Sequence, residues 1–223
     1  MTPRLLDAPF AYAPPRAPYL SVIHRDRDLL VLSKPSGLLS SPGKDPALAD
    51  CLEARAQAVF PQALRVHRLD HPTSGVLVMA LNRRAQRLLG WQFERRLARK
   101  RYVARVGGRL PGEAGRVDAP LMTDWPNRPL QKIDPAGREA VTDWAVIAEE
   151  DGATRVALTP LTGRSHQLRV HMASLGAPIL GDPFYGCAEA RAAAPRLHLH
   201  AETLTLRHPA DGREVTFRDP CPF

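Results

Sequence analysis

The chain has 223 residues, enough for one large domain or two small ones, with an ordinary 44% hydrophobic and 24% charged residues. Thirty-one Lys and Arg face 23 Asp and Glu, and the net charge of +8 points to a polyanionic partner, nucleic acid ahead of an anionic membrane. Three widely separated cysteines argue against a disulfide framework and a Cys-based metal site, and an N-terminus without an apolar core argues against a signal peptide.

Residues 1–19 are rich in Pro and Ala and read as an irregular arm laid over a domain that starts at residue 20. Tyr19 to Arg25 and Leu29 to Lys34 read as a strand pair around the polar turn Arg25-Asp26-Arg27-Asp28. Pro46 to Val59 reads as a helix with Leu48, Cys51, Leu52 and Val59 on one face. Gly75 to Leu81 is continuously apolar, as in a central strand covered on both faces. Asn82 can cap the following helix, whose apolar stripe is Ala85, Leu88, Leu89, Phe93 and Leu97. Arg83, Arg84, Arg87, Arg95 and Arg96 decorate its other faces, and Arg99-Lys100-Arg101 lead into the strand Tyr102 to Val106.

Asp124-Trp125-Pro126-Asn127-Arg128-Pro129 reads as a stiff loop. Ala140 to Ala148 and Thr154 to Leu161 read as a hairpin around Asp151-Gly152; either face of its first strand could point inward. Ser165 is a candidate N-cap for a helix with Leu168, His171, Met172 and Leu175 at helical spacing, ended by Gly176. Arg169 lies off that stripe and reads as free to reach a cleft. Pro178 to Gly181, Leu197 to Leu206 and Glu214 to Arg218 supply further short strands. The expected class is α+β: a mixed, largely antiparallel sheet with flanking helices, in one domain over 20–223.

The chemistry concentrates at His67-Arg68-Leu69-Asp70-His71-Pro72-Thr73-Ser74-Gly75, a charged loop running into an apolar strand. Alone, this could be a surface ion pair, Tyr102 a core residue and Arg169 a solvated charge. Taken together, the segments resemble the RluA family of pseudouridine synthases. The resemblance rests on the 67–75 motif, Lys100 to Gly107, Thr162 to His171, Gly181-Asp182-Pro183-Phe184-Tyr185-Gly186, Arg196 to Ala201 and Lys34-Pro35-Ser36-Gly37, in that family's order. The N-terminal S4 RNA-binding domain of many members is missing from this sequence, and the 124–129 loop resembles that of dual-specificity members.

The resemblance implies isomerisation of uridine to pseudouridine without cofactor or metal. The implied partners are stem-loops of 23S rRNA and the anticodon stem-loop of tRNA, and a cytoplasmic monomer without membrane association is expected. It assigns Asp70 as the reactive carboxylate, Arg169 as its counter-ion, and Tyr102 as the base-stacking residue that removes the C5 proton. Arg68 would fill the space left by the flipped uridine, at a flipping cost of a few kcal/mol. Leu199 would pack on the flipped base, with plain core packing as its alternative. Trp125 and Arg128 are expected to read an RNA loop, and Arg83, Arg84 and Arg87 to track phosphates. The histidines lack a carboxylate or Cys at metal-ligand spacing, so no metal is expected. Competing readings are the same chemistry on another RNA and a non-catalytic RNA-binding module; a glycoside hydrolase fails for want of a second acid.

Overall fold

A computed structural model describes residues 12–223, so most of the expected arm lies outside the described residues. They form two compact units. One comprises Tyr12–Arg101 with His200–Phe223, and the other Tyr102–Leu199.

In the first unit, β1 (Ser21–Arg25) and β2 (Leu29–Lys34) form the expected antiparallel hairpin. The Asp26 carboxylate accepts the N–H groups of Asp28 and Leu29 at 2.7 and 2.8 Å, which closes the turn. The helix expected over 46–59 is divided. A short 3-10 turn occupies Pro46–Leu48, and α1 (Leu52–Val59) begins afresh behind an extended Cys51. The break lets the first N–H groups of α1 bond the carbonyls of Leu39 and Ser40. Val59, expected on the buried face, is exposed.

After β3 (Leu64–Arg65) comes β4 (Ser74–Ala80), buried at every residue as its unbroken apolar run predicts. It pairs antiparallel with β2 and β3. Asn82 caps α2 (Arg83–Glu94) by accepting the Ala85 N–H at 2.8 Å. Ala85 and Leu89 of α2 pack on Val76, Val78 and Ala80, and burial of each leucine or valine contributes roughly 1.5–3 kcal/mol. Leu88 and Leu97 do not join them: both are exposed, contrary to the expected stripe. The strand β5 (Arg99–Val106) starts three residues before the boundary at Tyr102 and continues into the second unit.

The second unit holds β6 (Ala114–Asp118), β7 (Leu121–Thr123), β8 (Gln131–Ile133), β9 (Val141–Glu150) and β10 (Ala153–Pro160). Its sheet runs β5-β10-β9-β6, with β7 and β8 as a separate pair. Two helices follow, α3 (Gln167–Ser174) and α4 (Ala188–Ala192). Ala104, Val106, Val156 and Leu158 on one sheet face meet Leu168 and Met172 of α3. Pro178 to Gly181 is no strand; one bridge joins Ile179 to Val106.

The chain returns to the first unit through β11 (Leu199–Arg207), which pairs with β12 (Glu214–Arg218) and lies parallel to β4 at His200–Ser74 and Ala201–Gly75. Gly75 is obligatory at that contact. Its φ is +118°, and a Cβ would stand 2.3 Å from the Ala201 carbonyl oxygen. The whole is the expected α+β arrangement, largely antiparallel.

Candidate active site

Within its own unit, the Asp70 loop is held through a set of hydrogen bonds to its backbone and side chains. Leu69 donates its N–H to Ser40 Oγ at 3.0 Å, and that hydroxyl donates to the Leu69 carbonyl at 2.7 Å. The Thr73 N–H closes a turn onto the Asp70 carbonyl, and Ser36 Oγ donates to the Pro72 carbonyl. His67 accepts the Val78 N–H on Nε2 at 3.0 Å and stacks on Phe93 of α2, ring centroids 4.4 Å apart. Burial, then the charge of Lys100, pushes its imidazole down to about 3, so it is a neutral structural residue. Ser74 closes the loop by pairing with His200 Nδ1 at 2.9 Å.

This scaffold leaves the half-buried Asp70 carboxylate without a hydrogen bond or ion pair among the described residues. The cation that acts on it within its unit is Lys34, for which no role is expected from the sequence. Lys34 is fully buried, and its ammonium donates to three carbonyls: Pro35 at 2.9 Å, Leu38 at 2.6 Å and His71 at 3.1 Å. Burial pushes this lysine down to about 7, against the opposing pull of Asp70. A lysine ending an apolar strand just before Pro-Ser-Gly was its only signal in sequence. Arg68 is exposed, with no ion pair among the described residues.

In the second unit, Tyr102 is half-buried on β5 opposite Leu158, its ring against the core. Leu199 is fully within that core, as its plainer reading supposed. Arg169 is not free to leave the core; it is 1% exposed. Asp182 takes its guanidinium in a two-pronged pair at 2.7 and 2.5 Å, and the rings of Phe184 and Tyr185 each lie 5.1 Å from it. The same carboxylate accepts the N–H groups of Phe184 and Tyr185, so the 181–186 motif wraps one ion pair. Tyr185 Oη receives the Gln131 N–H at 2.9 Å and pairs with His166 Nδ1 at 2.7 Å.

Ser165 does not cap α3. His166 occupies the cap position with φ +56° and makes no side-chain cap bond. Gln167 does the local work instead, accepting from Arg164 N–H and Thr162 Oγ1 and donating to the Val141 carbonyl and Thr142 Oγ1.

The loop after β7 displays Trp125, 63% exposed, with the Arg128 guanidinium 3.8 Å from its ring. Asp124 and Asn127 pin that loop through backbone and side-chain bonds. On α2, Arg83 bonds Gln86, whereas Arg84 and Arg87 pair with no carboxylate among the described residues. The charge run after α2 is different: Arg99, Arg101 and Arg105 pair with Glu214, Glu202 and Glu150. Among the described residues, no group of three His, Cys, Asp or Glu could hold a metal ion, and no helix is long and apolar enough to cross a membrane.

A half-buried carboxylate at the head of a buried strand in a basic α+β protein fits base chemistry on a nucleic acid. The family model described as RNA pseudouridylate synthase matches residues 28–174, and the chain belongs to that family. It is an isomerase that converts uridine to pseudouridine in RNA. Its curated relatives include the dual-specificity RNA pseudouridine synthase RluA of Escherichia coli strain K12. That protein is 52% identical over 214 residues, 95% of this chain and 98% of the relative. The protein of the same name from Haemophilus influenzae is 48% identical with the same coverage. Among solved structures, human RNA pseudouridylate synthase domain containing 1 superposes with a TM-score of 0.75 at 31% identity, covering 92% of this chain and 84% of that one.

Proposed function

We propose that the chain modifies one uridine in a stem-loop of 23S rRNA and one in the anticodon stem-loop of tRNA, as a monomer in the cytoplasm, with residues 20–223 as the catalytic domain. That two RNAs are modified follows from the dual specificity of relatives that match nearly end to end, and which two follows from the resemblance of the sequence motifs.

Pseudouridylation breaks the uracil N1–C1′ bond, turns the base and joins C5 to C1′; the C5 proton then leaves. The proton lost from C5 is matched by one taken up at N1, so the change is a net isomerisation and no oxidant or co-substrate is required. Asp70 supplies the carboxylate that attacks, or stabilises charge, at the ribose or base. Tyr102 stacks on the base, and its hydroxyl removes the proton from C5. Arg169 supplies a fixed positive charge to the reaction, with Asp182 as its holder. Arg68 fills the gap left by the flipped uridine, and Leu199 supports the apolar wall beside it. Trp125 and Arg128 read the RNA loop by stacking, while Arg83, Arg84 and Arg87 contact phosphates.

The observation that carries this reading is the Asp70 carboxylate: fixed through its neighbours' backbone, half-buried and without a hydrogen bond or ion pair among the described residues. The test incubates the purified protein with unmodified rRNA and tRNA stem-loops and measures tritium released from C5 of uracil. Wild type should release it from both, and Asp70→Asn should be slower by at least about 10⁴-fold with its fold intact. Release from neither RNA would sink the target assignment, and an active Asp70→Asn would sink the assignment of the nucleophile.

A further inference from the structure

The outer face of α2 does not match the stripe that its sequence suggests. Leu88 is 38% exposed and Trp91 is 50% exposed, and they lie on the face of Arg84, Arg87 and Arg95. These residues stand at three- and four-residue spacing, which places them side by side along about three turns of helix. Among the described residues, no carboxylate pairs with Arg84, Arg87 or Arg95, and no ring or guanidinium stacks on Trp91. This sets the face apart from the charge run that follows α2 and from the loop of Trp125. Arg99, Arg101, Arg105 and Arg116 are all matched to carboxylates, and Trp125 already carries Arg128.

We infer that this face of α2 is a second RNA-binding surface, where one unstacked base lies on Trp91 and the flanking phosphates sit on Arg84, Arg87 and Arg95. An exposed aromatic between unpaired arginines is the combination that holds single-stranded RNA, because every base has a face to stack and every nucleotide a phosphate. A membrane fits less well. Two apolar side chains set among arginines, with Glu94 beside them, bury little surface in a bilayer. The surface also has a mechanical tie to the reactive loop. Phe93, on the opposite side of α2, stacks on His67, three residues before Asp70. RNA held on α2 is therefore held on the element that braces that loop.

The inference rests on the chain being an RNA-modifying enzyme and is tested separately from its targets. The probe is unmodified tRNA transcript, with the 23S rRNA stem-loop as a second probe. Affinity is read by fluorescence anisotropy over a salt series, and turnover by tritium release on the same samples. Trp91→Ala should weaken binding about tenfold, and Trp91→Phe should recover most of it. Arg84→Ala/Arg87→Ala should lower the slope of log affinity against log salt by about 1.5. Arg213→Ala, which removes an exposed charge elsewhere, should change neither. Unchanged affinity and slope in the α2 variants, or equal effects from Arg213→Ala, would overturn the surface while leaving the enzyme's targets standing. Binding without turnover in wild type would overturn the targets alone, and absence of binding to either RNA would overturn both. Loss of sedimentation with anionic phospholipid vesicles in the same variants, with RNA affinity intact, would assign the face to a membrane instead.

Discussion

Two buried cations, one in each unit, are kept in opposite ways. Lys34 sits among three carbonyl oxygens, each a partial charge, and the full charge that acts on it belongs to Asp70. Arg169 has a carboxylate fitted to both of its forks and two aromatic rings over its plane. The lysine's proton is therefore loosely held, while the guanidinium keeps its charge at any working pH. The consequence is a division of labour. A cation that can lose its charge feels the reactive carboxylate of its own unit, and a cation that cannot is fixed in place by Asp182.

The largest effect that sharpens this contrast comes from Asp182→Ala. It removes the carboxylate that grips both forks of the buried Arg169, and should cost about 3–5 kcal/mol of stability in urea unfolding at pH 7. The double substitution Arg169→Met/Asp182→Leu should recover most of that stability, because removing both charges also removes their desolvation cost, yet it should remain inactive. A stable, active double variant would reduce the pair to packing.

Next in size is a pH effect. Lys34 titrates near 7 in the folded chain and at 10.5 unfolded. Between those values the unfolded chain holds a proton that the folded chain has released, so stability rises with pH across that window. Lys100 is also lowered by burial, to about 8, and adds to the same slope. Lys34→Met should remove the larger share, on the order of a few kcal/mol from pH 7 to 10.5, as read from urea midpoints over that range. A slope unchanged in the variant would mean that Lys34 keeps its proton. The smallest effect is that of Arg169→Lys. A lysine keeps the charge but not the fork, and should cost about 1–2 kcal/mol in the same unfolding assay.

The strands were readable wherever burial was simple. Leu29 to Lys34 and Glu214 to Arg218 have the bounds expected, and β4 differs by one residue at each end, because an apolar run or an alternating one has few other solutions. The short elements β6, β7, β8 and α4 have no period long enough to show. The helix errors have one cause. Spacing alone put Leu88 and Leu97 inside, whereas Ala85 and Leu89 suffice to fill the face on β4. Spacing likewise put Arg169 outside, because its partner Asp182 lies thirteen residues on, after α3 has ended. The site residues themselves were legible only through the resemblance. Lys34 and Asp182 lie inside motifs that carry the resemblance, but a role set by burial and by a distant partner leaves no local pattern to read.

The contact between Ser74 and His200 bears on synthesis as well as on structure. It spans 126 residues, and the parallel register of β4 on β11 spans the same gap. Residues 102–199 are a continuous insert, so that unit can complete itself on the ribosome before the one that encloses it. The Asp70 loop was made far earlier but waits for His200, Ala201 and the strands that follow. The nascent chain therefore carries its reactive carboxylate for more than half of translation without a finished seat for it. Activity should appear only after the C-terminal strands leave the exit tunnel.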